Sequence, residues 1–438
     1  MIISDETLDN VILSVSEGSH EILRAKALRM TKMLFIATTK EVNMKYRINQ
    51  KNGDELSILG FGCMRLPTKA GIIDERRAIR MIRDSIEKGV NYFDTAYIYH
   101  AGQSESILGK SLQDGYRRRV KIATKLPPYM IKKLDNAKKI MLTQLEKLHT
   151  DYIDYYLLHM LTDKAMFDRM IDLGVMKWLE ELKAEGTIKN IGFSFHGSKV
   201  DFELIVKAYP WDFCQIQYNY LDENNQAGVS GLKLAHSLGI PVIVMEPLRG
   251  GKLVNNLLNE VIKIFISAHP EWTPAEWGLR WIWNHKEVNV VLSGMSLEEQ
   301  VNENIKIASN ASFDSLSEDE LKVFDEVKSI MNKKVKVPCT ACRYCMPCPH
   351  GVNIPGCFSS YNDKFLLEDK LYRWKYAQAL GAFSAEPAFA SKCAECGECE
   401  PKCPQNIEIR KELKAVSKAM EGIFFKPIVG TARKILRI

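Results

Sequence analysis

Asp94, Tyr99, Lys125 and His159 are the residues of this chain whose types and spacing most clearly suggest chemistry. Asp94 stands near the end of the apolar stretch Asn91-Tyr-Phe-Asp-Thr-Ala96, Lys125 closes Val120-Lys-Ile-Ala-Thr-Lys125, and His159 closes Ile153-Asp-Tyr-Tyr-Leu-Leu-His159. Tyr99 lies five residues beyond Asp94. Taken singly, each has an ordinary explanation: a loop cap, a loop aromatic, a rim charge, a satisfied buried histidine. Three successive apolar segments that each end in an ionisable residue make coincidence a weak account, and together they form an acid–base set. The reaction that needs such a set is delivery of hydride to a carbonyl, whose developing alkoxide must be protonated from the side. A phenol has a pKa near ~10 and releases its proton more readily beside an ammonium that stabilises the phenolate. Lys125 supplies that charge in this reading, and Asp94 holds it in place. A neutral His159 orients the carbonyl oxygen by donating a hydrogen bond.

Cysteines make a second set. Of eleven, only Cys63 and Cys214 precede residue 339. Clustering of this kind, without a secretion-signal pattern at the N-terminus, points to metal and not to a disulfide framework. The spacings are Cys339-x2-Cys342-x2-Cys345-x2-Cys348-Pro349 and Cys393-x2-Cys396-x2-Cys399-x3-Cys403-Pro404. Paired zinc sites are the plainer alternative, because Cys-x2-Cys pairs also build zinc ribbons. The second run, however, matches the bacterial ferredoxin run residue for residue. That resemblance implies one [4Fe-4S] cluster on Cys339, Cys342, Cys345 and Cys403 and another on Cys393, Cys396, Cys399 and Cys348. The first run is one residue short in its last gap, and Cys357 is a spare candidate ligand.

The elements that must position these residues follow from periodicity. Two short apolar runs flank Asn52-Gly53-Asp54, which predicts a hairpin. From there to about residue 310, short apolar strands alternate with amphipathic helical stretches such as Asp74 to Lys88 and Leu297 to Ala308. The expected strands are LSILGFG, NYFDTA, VKIATK, IDYYLLH, IKNIGFSF, FCQIQYN, PVIVMEP and VNVVLSG. Eight such units fit an α/β fold of the (β/α)8 TIM-barrel kind, and no GxGxxG follows any strand to support a Rossmann site. A helix from Ser317 to Met331, opened by the capping box Ser317 to Glu320, leads to the cysteine region. Between the cysteine runs LLEDKLYRWKYAQAL reads as an amphipathic helix, so the C-terminal unit is expected to be a mainly helical, ferredoxin-like iron–sulfur domain. The expected layout is an N-terminal extension over 1–43, the barrel over 44–310, a linker helix over 311–337, the cluster domain over 338–412 and a basic tail over 413–438.

FDTAYIYHAGQSE, IATK, DYIDYYLLH and GFSF closely resemble, in order, segments of the aldo-keto reductases. The likeness covers residues 44 to about 310. It implies a catalytic tetrad of Asp94, Tyr99, Lys125 and His159, NAD(P)H extended over the barrel mouth, and a small carbonyl substrate above it. It further implies nicotinamide contacts from Ser194 and Gln215, backbone contacts from Gly62, Cys63 and Met64, and an adenine-side contact from Asn304. Two positions depart from the family pattern: Phe195 stands where Asn is usual, and Met245 where an aromatic stacks on the nicotinamide. The segment Ser293 to Gln300, where NADPH-binding members carry Lys or Arg, has no base and contains Glu298 and Glu299, which favours NADH. Arg249 and Arg280 are the bases that other loops could bring to a phosphate.

With 438 residues, 46% hydrophobic and 26% charged, the chain can bury a barrel-sized core and a smaller unit. No apolar run is long enough to span a membrane, so a cytoplasmic protein is expected. The net charge of +6 is dispersed, which argues against nucleic acid. Only the tail from Lys411 is locally basic, either as a solvated helix face or as a dock for an acidic carrier of ferredoxin or flavodoxin type. The expected function is carbonyl reduction, or the reverse alcohol oxidation, linked to electron-transfer clusters. The competing readings are a ferredoxin-linked reductase whose barrel binds another cofactor, and a non-catalytic redox sensor. Substrate identity is not readable, since loops such as 247–270 build its pocket.

Overall fold

A strand buried on both faces must find partners on both edges, and eight strands alternating with helices achieve this by closing into a ring. The computed structural model describes residues 43–69, 71–339, 345–367, 369–382, 386–403 and 405–422, with 425, 427 and 429. The expected N-terminal extension, apart from residue 43, the expected ligand Cys342 and most of the tail beyond residue 422 lie outside the described residues. From Met44 onward the chain forms one compact unit.

The hairpin is present as β1 (Tyr46–Ile48) and β2 (Glu55–Ser57), antiparallel, with Gly53 at φ +77° in the turn. It plugs the N-terminal end of the barrel: Asp54 accepts from the Tyr155 hydroxyl at 2.8 Å, and Asn52 donates to Asn190 at 3.0 Å. The single strand expected over 56–62 is divided, because the Ser57 hydroxyl donates to Leu59 O at 2.7 Å and bends the chain. The barrel strand β3 therefore begins at Leu59 (Leu59–Gly62). A small second hairpin, β4 (Thr68–Lys69) with β5 (Ile72–Ile73), was not part of the sequence expectation.

The remaining barrel strands are β6 (Tyr92–Asp94), β7 (Lys121–Leu126), β8 (Ile153–Leu161), β9 (Ile188–Phe195), β10 (Phe213–Gln217), β11 (Val242–Met245) and β12 (Val288–Ser293). They pair in sequence order and β12 closes on β3, giving a closed barrel. Side chains alternate with period two. Tyr92, Ala123, Tyr155, Leu157, Phe213, Ile243 and Val290 fill the interior. Their neighbours Phe93, Ile122, Tyr156, Phe193, Cys214 and Val291 pack outward against the helices. Continuing that alternation to the C-terminal ends brings Asp94, Lys125, His159, Ser194, Gln215 and Met245 inward at the mouth.

Local signals set the helices. Asp74 caps Glu75–Glu87 by accepting from Arg77 N at 3.2 Å. Helix Glu318–Lys334 carries the expected capping box, but Phe324, Val327 and Met331 are buried in the barrel's core, so the segment expected as a linker packs as part of that body. Beyond it a second core forms from Val352, Phe358, Tyr376, Leu413 and Val416 on helices Ile354–Leu366, Tyr372–Ala379 and Ile409–Met420. The one helix expected over 366–380 is divided where Asp369 accepts from Leu371 N at 2.9 Å, a local bond that competes with the helical ladder. The boundary expected between 412 and 413 falls within Ile409–Met420, whose Leu413, Val416 and Met420 are buried while Lys411, Lys414 and Lys418 face solvent. No described helix is long and apolar enough to cross a membrane.

Candidate active site and cluster-binding site

β6 and β7 are hydrogen-bonded neighbours with Asp94 opposite Ala123, so the next inward residue of β7, Lys125, reaches across to Asp94. Lys125 is 1% exposed. Its Nζ donates to Asp94 Oδ1 at 2.5 Å and to Thr95 O at 2.7 Å. Burial works against the ammonium, but Asp94 and Tyr99 outweigh it and raise Lys125 above its ordinary pKa. Tyr99 opens the turn Tyr99–Gly102, and its ring centroid lies 4.8 Å from Lys125 Nζ. The ring also meets His159 in a T-shaped contact, with centroids 5.8 Å apart. The sequence expectation that Lys125 lowers the phenol's pKa holds only in part. Burial raises it, Lys125 opposes that rise, and the phenol stays protonated at neutral pH.

Burial, with Lys125 and His196 adding to it, drives His159 down to about 2. Its ring is therefore neutral and keeps one N–H donor. Among the described residues His159 Nδ1, Asp94 Oδ2 and Gln215 Oε1 are buried without a hydrogen-bond partner. Orphaned polar atoms converging on one mouth call for a ligand with polar groups of its own.

The expected cofactor contacts fall around the same rim. Ser194 Oγ accepts from Met160 N at 2.8 Å, which fixes the irregular pairing of β8 just after His159. Cys63 is fully buried with its thiol turned into the core, so only backbone is offered between Gly62 and Met64. A Cβ on Gly62 would stand 3.3 Å from Ser293 O, which makes this a close approach of two strands. Asn304 donates to Ser293 Oγ at 3.0 Å. Phe195 does not enter the mouth at all: it packs outward on Phe202, with centroids 5.2 Å apart. Met245 faces the mouth, half-buried.

Two residues at the rim escaped the sequence reading. His196, one inward step beyond Ser194, lies next to Glu246 and Gln226, and burial lowers its pKa. It follows an apolar strand just as His159 does, and that signal was available. Arg65 folds over two glycines: a Cβ on Gly250 would meet its guanidinium at 2.5 Å, and one on Gly294 its Cδ at 3.0 Å. The two bases considered for a phosphate are committed elsewhere. Arg249 pairs with Asp222 at 2.9 Å, and Arg280 pairs with Glu276 at 2.8 Å. Glu298 is held near 2 by Arg77 and Arg80, which come from another helix.

In the C-terminal domain Cys345, Cys348, Cys393, Cys396 and Cys399 line one cleft. Prolines 347 and 349 and Ile354 complete an apolar wall. Soft thiols around such a space suit an iron–sulfur cluster. Cys339 and Cys403 pack against the same domain core. Cys357 does not line the cleft; it is buried on helix Ile354–Leu366, donates to Ala388 O, and burial pushes its thiol up to about 12.

Comparison with known proteins agrees with both halves. Residues 58–329 match the model of the Aldo/keto reductase family, and residues 338–408 that of a 4Fe-4S dicluster domain. The chain is 28% identical to the oxidoreductase YqkF of Bacillus subtilis over 297 residues, 61% of this chain and 91% of that protein. It is 26% identical to an NADH-specific methylglyoxal reductase of Escherichia coli, over 57% and 89% of the two chains. The holo form of the aldo-keto reductase AKR11C1 from Bacillus halodurans superposes with a TM-score of 0.54 at 29% identity, covering 65% of this chain and 96% of that one. A closed eight-stranded barrel, an acid–base group at its mouth and a cysteine-rich helical domain thus come together in one chain, which is an oxidoreductase belonging to the aldo/keto reductase family with a C-terminal 4Fe-4S domain.

Proposed function

We propose that the barrel reduces a small carbonyl compound using NAD(P)H, with Tyr99 as the proton donor. The observation that carries this reading is the packing of both the buried Lys125 ammonium and the neutral His159 ring against Tyr99. When bound, the nicotinamide supplies the hydride and the clusters supply one-electron storage. Tyr99 gives its phenolic proton to the carbonyl oxygen, and Lys125 stabilises the phenolate left behind. Asp94 and Thr95 O hold Lys125 in place. His159 donates its N–H to the same carbonyl oxygen and, being neutral, does not compete as an acid.

Gly62, the backbone at Cys63 and Met64, Ser194, Gln215 and Asn304 are proposed to hold the cofactor. Arg65, exposed and lying over Gly250 and Gly294, joins them as a contact to its phosphates. NADH is the proposed partner because the segment 293–300 has no base of its own and Arg77 and Arg80, which approach it at Glu298, are both tied to that carboxylate. The methylglyoxal reductase relative, NADH-specific by name, supports that choice. Two [4Fe-4S] clusters are proposed, on Cys348, Cys393, Cys396 and Cys399 and on Cys339, Cys342, Cys345 and Cys403. The cleft, lined by the four cysteines of the first set and by Cys345 of the second, supports cluster binding at this end of the domain. A ferredoxin-type carrier is the proposed electron partner.

Tyr99→Phe removes the acid and little of the cofactor surface. Steady-state reduction of a simple aldehyde should fall by ~10²-fold or more with NAD(P)H affinity unchanged, and near-normal turnover would remove Tyr99 from the mechanism. His159 tests the electrostatics. An unfolded histidine titrates near ~6.5, so between that value and about 2 the unfolded chain takes up a proton that the folded site refuses. This stability is complete above ~6.5 and is lost as the pH falls. Unfolding free energies of the wild type should therefore drop by about 2 kcal/mol more than those of His159→Asn between about pH 7 and about pH 5. Glu298→Gln should release Arg77 and Arg80 and shift the kcat/KM ratio several-fold toward NADPH; an unchanged ratio would locate cofactor selection elsewhere. Finally, anaerobic addition of reduced nicotinamide or of a reduced ferredoxin should change the electron paramagnetic resonance of the clusters. If neither donor does so while carbonyl reduction proceeds, the clusters are structural.

A further inference from the structure

Arg249, in the loop after β11, forms ion pairs with carboxylates from both domains, the one to Asp363 without a hydrogen bond. Its Nε lies 2.9 Å from Asp222 Oδ2 and its Nη1 lies 3.5 Å from Asp363 Oδ1, and Lys252 also pairs with Asp363. Asp222 belongs to the loop after β10, whereas Asp363 stands on helix Ile354–Leu366 of the cluster domain. The start of that helix, Ile354, lines the cysteine cleft. At ~1.5 Å per residue the helix spans roughly 13 Å between the cleft and the ion pair. Asn362, adjacent to Asp363, donates to Val337 O at 2.7 Å and accepts from Val337 N at 3.0 Å, which ties the helix to the end of the connecting segment.

The polar chain continues into the barrel. Asp222 Oδ2 accepts from Gln217 Nε2 and Asn219 Nδ2, each at 3.1 Å. Gln217 Oε1 accepts from Gln226. Gln226 and Glu246 lie beside His196, which in turn stands near His159. Gln217 is the inward residue that follows Gln215 in β10, and His196 is the one that follows Ser194 after β9. Both therefore stand one step above the residues proposed to touch the nicotinamide, on the substrate side. Three members of the loops, Gln226, Glu246 and Arg249, hold positive φ of 54°, 54° and 47° without being glycine, so the chain's side-chain bonds keep a backbone that would otherwise relax.

We propose that Asp363, a residue of the iron–sulfur domain, is a positioning residue for the barrel reaction, acting through Arg249, Asp222, Gln217 and Gln226 to fix His196 against the substrate. The side chains of Arg249, Asp222 and Asp363 are only 15%, 11% and 15% exposed, so their charges must be matched locally. With Lys252 the group holds two charges of each sign. Loss of the Asp363 charge lets Arg249 close on Asp222 alone and pull Asp222 away from Gln217 and Asn219. The cluster domain thereby acts on the barrel mouth by a mechanical and electrostatic route that is independent of electron transfer. This role rests on the barrel mouth being the carbonyl site.

The test uses the full-length, cluster-loaded protein and its Asp363→Asn, Asp222→Asn and Lys252→Gln variants. Two quantities are read: steady-state constants for an aldehyde, and the rate at which diethyl pyrocarbonate acylates His196, followed by peptide mass spectrometry with exposed His236 as the internal standard. Asp363→Asn and Asp222→Asn should each change the His196 rate, and raise KM for the aldehyde, by roughly threefold to thirtyfold, with KM for the cofactor unmoved. Lys252→Gln should change both by less than either aspartate variant, because it leaves both contacts of Arg249 in place. Unchanged His196 labelling in Asp363→Asn, or equal effects of all three substitutions, overturns the proposal and leaves the contact as a staple. If Asp363→Asn loses its clusters, Asp222→Asn decides the matter from the barrel side with the cluster domain unaltered. A wild-type protein that reduces no aldehyde would defeat the carbonyl reading, while the labelling comparison would still decide this one.

Discussion

The ammonium of Lys125 is buried inside the barrel mouth, and the arrangement of the side chains around it depends on how that charge is compensated. An unpaired ammonium at this depth would cost several kcal/mol and would lose its proton instead. It is held by one carboxylate oxygen of Asp94 and the carbonyl of Thr95, both from the strand next door. That pairing requires β6 and β7 to be neighbours in a register that turns Asp94 and Lys125 inward together. A slip of one residue would send either side chain out toward the helices, where Phe93 and Ile122 now pack. Burial is the larger cause of the neutral states of His159 and Tyr99, and the Lys125 charge adds to it at His159 and opposes it at Tyr99.

Backbone strain collects around the same mouth. His100 and Ala101 after Tyr99, Met160 after His159, Gln226 after β10, and Glu246 and Arg249 after β11 all adopt positive φ as non-glycine residues. Each such residue costs on the order of 1 kcal/mol or more and persists only where its surroundings leave no alternative. Here those surroundings are identifiable. His100 Nε2 accepts from Leu66 N at 3.2 Å, Met160 N donates to Ser194, and Arg249 is caught between two aspartates. The strain is thus the cost of turning loops sharply enough to aim side chains back over the barrel axis, and side-chain bonds between successive loops offset it.

The cluster domain follows a different logic. Its apolar core is small, built around residues such as Phe358, Tyr376, Leu413 and Val416. A unit of this size gains part of its folding free energy from the groups its thiolates bind. What ties it to the barrel is helix Ile354–Leu366, which carries Ile354 at the cysteine cleft, Phe358 in the domain core and Asp363 at the barrel loop. One helix therefore contributes to the cluster site, the core and the interdomain contact.

Much of this organisation was legible in the residues themselves. The period-two strands, the Asp74 and Ser317 caps and the Asn52-Gly53 turn depend on neighbours a few positions apart, and so does the spacing of the cysteines; local sequence determines such features. Ionisable residues at strand ends marked Asp94, Lys125 and His159 for the same reason, since alternation alone says which way a strand's last residue points. What sequence could not weigh was whatever depends on distance across the fold. The linker's membership of the barrel body arises from Phe324 meeting Trp277 and Phe265, which are far away in the chain. The outward turn of Phe195 was available from alternation, but its packing on Phe202 was not. The direction of the Tyr99 shift depends on how deeply the folded chain buries the ring, and the pairing of Glu298 with Arg77 and Arg80 joins residues more than two hundred positions apart. The pairing of Arg249 with Asp363 belongs to the same class, because Coulomb's law acts on spatial separation, and only the closed barrel with its docked second domain decides which charges are near.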